Sequence, residues 1–103
     1  MITLDEDEQQ NLSTFFKVIR RRLPTDSKPV VLLIHDDRPS DDNIWVLVYY
    51  NETLVNSSDF NPHRRILPDG VSHEWVIQWM RDNLKSLLGV EVDIRYEDHR
   101  GQP

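Results

Sequence analysis

Cysteine is absent from this 103-residue chain, which removes disulfides, thiolate zinc sites and cysteine nucleophiles together. Glycine occurs only as Gly70, Gly89 and Gly101, so no glycine-rich loop exists to cradle a phosphate. Lysine is equally scarce, with Lys17, Lys28 and Lys85 alone. Long hydrophobic runs are missing too. The longest covers seven residues, 44–50, far below the ~20 that span a bilayer. The first eight residues carry neither a basic start nor an apolar stretch, so no secretory signal is expected and the location read from the sequence is cytoplasmic.

What the chain does have is acid. Eighteen acidic residues stand against twelve basic ones, a net charge of −6 and a pI near 5.0. Such a balance disfavours generic binding to nucleic acid or to an anionic membrane, both of which draw on a positive field. The apolar fraction of 38% and charged fraction of 29% are those of an ordinary globular protein, and the length suits one domain, 1–103.

The run Ile44, Trp45, Val46, Leu47, Val48, Tyr49, Tyr50 organises the chain. Its β-branched and aromatic residues suit a pleated strand, and their continuity marks a central one. Before it, residues 5–23 read as a helix. Asp5 is the N-cap, acids fill the first turn, Arg20, Arg21 and Arg22 fill the last, and Pro24 stops it. Leu12, Phe15, Phe16, Ile19 and Leu23 form its apolar face. Residues 30–34 make a short apolar strand, a polar loop follows, and Asn51 and Glu52 turn into a third strand at 53–55. Residues 56–70 are the least regular. Ser72 caps a second helix that runs to Leu88, with Gly89 at its end. Residues 90–96 alternate as a strand with one wet face. Residues 97–103 read as a frayed polar tail.

These elements predict an α+β domain of αβββαβ order. Its four-stranded mixed sheet, in the order 3-2-1-4, carries both helices on one face. In element order the αβββα portion resembles double-stranded-RNA-binding domains. That resemblance implies lysines at the start of the second helix to hold phosphates, a position that here reads Ser72, His73, Glu74, Trp75. The full order is similar to the core of the restriction-endonuclease-like nucleases, which implies an Asp on one strand and Asp/Glu-x-Lys on the next. The nearest matches are Glu91-Val92-Asp93 and Asp93-Ile94-Arg95; the second has arginine in place of lysine, and arginine does not serve as a base.

Two groups of residues are candidates for function. On the loop after the first strand, His35, Asp36, Asp37, Asp41 and Asp42 offer an imidazole and carboxylates to a divalent ion. The loop lacks both EF-hand spacing and a glycine turn. The second group is apolar. At about 100° per residue, His73, Val76, Ile77, Met80, Leu84, Leu87 and Leu88 already supply a core arc for the second helix, leaving Trp75 and Trp79 at its side. In the central strand, either Trp45, Leu47 and Tyr49 or the alternate set must point away from a single helix layer. Apolar surface of that kind marks a protein partner, and Trp and Tyr are frequent anchors.

The expectation is therefore a small acidic protein–protein interaction module: an inhibitor, an immunity- or antitoxin-type partner, or an assembly subunit. It would act by binding and not by catalysis, without a cofactor. Trp75, Trp79, Trp45, Leu47 and Tyr49 would contact a protein partner or a second copy of the chain. The alternative is a metal-dependent hydrolase or nuclease using the acidic loop. A third reading, nucleic-acid binding through Arg20–Arg22 and His63–Arg65, runs against the net charge.

Overall fold

The fold follows from a computed structural model, which describes residues 3–24, 28–37, 43–50 and 62–101. The element order is α1 (Glu6–Arg22), β1 (Val30–Asp36), β2 (Asn43–Tyr49), β3 (Pro62–Ile66), α2 (His73–Leu88) and β4 (Asp93–Asp98). The strands form one mixed sheet in the order β3-β2-β1-β4. β1 pairs antiparallel with β2 and parallel with β4, while β2 pairs antiparallel with β3. The αβββαβ order and the 3-2-1-4 sheet are as expected.

Local chemistry sets the helix limits. The Asp5 carboxylate accepts the Glu8 N–H at 2.8 Å, satisfying a donor that the first turn of α1 leaves open. Ser72 Oγ accepts the Trp75 N–H at 3.3 Å and opens α2 in the same way. Gly89 ends α2 in the left-handed region at φ 74°, where a Cβ would be strained. The Arg20 guanidinium comes within 3.3 Å of where that Cβ would sit. It thus places a positive charge at the negative end of the α2 dipole.

The core lies between helices and sheet. Leu12, Phe16 and Ile19 of α1 and Val76, Met80, Leu84 and Leu88 of α2 are buried against Val31 and Leu33 of β1 and Ile44, Val46 and Val48 of β2. Because side chains alternate along a strand, the helix layer covers only that face.

Three boundaries differ from expectation. The sheet's third strand is Pro62–Ile66, within the stretch expected to be irregular; residues 53–55 lie outside the described residues. A proline and two arginines hide this strand in the sequence. An edge strand tolerates them, because proline at the first position costs no interior ladder bond and arginines at an edge reach water. The last strand begins at Asp93 and runs through Glu97 and Asp98, so the tail expected from residue 97 is not frayed there. Its end is tied back to β1. His99 N–H donates to His35 O at 2.7 Å, and Gly101 N–H donates to an Asp37 carboxylate oxygen at 3.1 Å. β1 likewise runs on to Asp36, taking in His35.

Candidate functional site

The register identifies the sheet face that the helices leave. Leu32 lies opposite Leu47, Ile34 opposite Trp45, and Val30 opposite Tyr49. Residues directly opposite in a ladder share a face, so Tyr49, Leu47, Trp45, Val30, Leu32 and Ile34 form one apolar block on the two central strands. Five of the six are half-buried and Val30 is buried. On β3, Arg64 and Ile66 flank the block beside Leu47 and Trp45, and Ile66 is 44% exposed. On β4, Asp93, Arg95 and Glu97 flank it on the opposite side. The face is therefore apolar in the middle and charged along its edges.

Of the residues expected to meet a partner, Trp45, Leu47 and Tyr49 come together on this face. Trp75 and Trp79 do not join them. Both lie in the helix layer, half-buried and packed against the core cluster. Trp79 lines a shallow groove with Glu6, Gln9, Gln10, Ser13 and Asn83, and the Asn83 amide donates to Trp79 O at 2.8 Å. The expected five-residue set is thus split between two layers. The reason is geometric: α2 sets one flank against α1, so Trp79 fills the seam between helices.

Leu32 and Ile34 share this face and lie outside the expected contact set. Their signal was present, since a fully apolar strand paired with another must place alternate residues on each face. Only the register, however, says which alternates share a face with Leu47.

Along β1 and β4, the ends of the two parallel strands bring together groups that no spacing in the sequence connects. His35 is buried, and its Nδ1 hydrogen-bonds with the Tyr96 hydroxyl at 2.9 Å. His73, the first residue of α2, stacks on the Tyr96 ring with centroids 4.2 Å apart, and its own ring lies edge-on to His35 at 5.6 Å. Nearby, the Arg100 guanidinium and backbone N–H hold the Asp98 carboxyl well below the usual carboxylate range, assisted by the charge of His35. Of the acidic-loop candidates, His35, Asp36 and Asp37 are described and Asp41 and Asp42 lie outside the described residues. Among the described residues no three histidine or carboxylate side chains converge as a metal site.

The basic candidates are partly dispersed. Arg65 turns to the helix side and lies 3.9 Å from the Glu8 carboxylate, whereas Arg64 faces the other way. His63 stacks on Tyr50 and shares a 3.1 Å hydrogen bond with its hydroxyl. Burial, with the positive charge of Arg22 nearby, lowers the pKa of His63.

No family model, curated protein or solved structure matches the chain. Among the described residues no helix is long and apolar enough to cross a membrane.

Proposed function

We propose that this chain is a protein–protein interaction module that binds through the open face of its sheet, with Trp45, Leu47 and Tyr49 as contact residues and Leu32 and Ile34 completing the patch. An inhibitor, an immunity- or antitoxin-type partner, or an assembly subunit would use a surface of this kind. One observation carries the reading: six apolar side chains occupy contiguous positions on the two central strands, on the face opposite the helix layer. A contiguous apolar patch framed by charge is the usual composition of a binding surface, with the anchors at the centre and the polar rim around them. Trp75 and Trp79 are left out because packing within the helix layer accounts for their positions.

Site-specific photo-crosslinking tests this reading. A photoreactive residue at position 47, on the open face, is compared in the native cell with one at Gln78, exposed on α2. Covalent adducts to protein at position 47 and not at position 78 are the expected result. Equal yields at both positions, or no adduct at 47, would refute binding through this face.

A further inference from the structure

We draw no further inference here: the strongest candidate, the apolar face of the β3-β2-β1-β4 sheet formed by Tyr49, Leu47, Trp45, Val30, Leu32 and Ile34, belongs to the binding site already described, and nothing in the structure shows what covers it.

Discussion

Single residues in this fold have separable tasks, and three of them yield measurable expectations. Gly89 adopts a positive φ that a side chain would strain. Gly89→Ala is expected to cost about 1 kcal/mol in a denaturant titration. The neighbouring Arg20 side chain can swing aside, so backbone strain will dominate that loss. Ser72 satisfies one open donor in the first turn of α2, the Trp75 N–H, and Ser72→Ala is expected to cost a further ~1 kcal/mol. His63 carries a pH dependence of known sign. Its lowered pKa means that the unfolded chain takes up a proton more readily than the folded one. Its contribution to stability is complete while both states are neutral, above the ordinary value of 6.5. It is lost as pH falls through 6.5 toward the folded value. Melting temperatures measured from pH 7.5 to 5.5 should fall less steeply for His63→Gln than for the parent chain.

At the scale of elements, the two helices owe their position to one buried seam each. Phe16 is fully buried at the centre of the α1 contact with the sheet. Phe16→Ala is expected to cost about 3–5 kcal/mol in a denaturant titration, through lost transfer energy and the cavity left behind. A domain of this length holds only about 5–15 kcal/mol in total, so this single truncation would leave the fold near its limit. β3 shows the opposite economy. Its exposed edge needs little apolar content, because Leu67 just beyond it is anchored in the core and donates its N–H to Ile44 O at 2.9 Å. The strand is held by its register with β2 and by that anchor, which is why its own residues read as a loop.

For the whole molecule, the decisive feature is asymmetry between two sheet faces. One is sealed by α1 and α2; the other presents a contiguous apolar block bordered by charge. A partner that closes that face makes stability a function of the partner's concentration, because whatever binds only the folded chain stabilises it by mass action. The melting temperature of the parent chain should then rise as the protein captured at position 47 is added in excess, while that of Leu47→Glu should stay constant. Two flat lines would count against binding through this face.

Local signals in the sequence determined most of the elements. Asp5, Ser72 and Gly89 mark helix ends by chemistry that acts within four residues, and continuous apolar runs mark β1 and β2 as central strands. The acidic composition and the missing cysteines bounded the chemistry before any fold was known. What the tertiary structure alone decided was orientation and register. Period-two alternation cannot say which face of 44–50 turns to the helices when both sets are apolar, and the docking of Phe16, Ile19 and Met80 on Ile44, Val46 and Val48 made that choice. It could not mark Pro62–Ile66 as a strand, because an edge position is defined by its neighbour and not by its own residues. Nor could it bring His35, His73 and Tyr96 together, since their contact arises from a parallel pairing between segments some sixty residues apart. The open face, on which the proposed function depends, exists only once that docking and that register are in place.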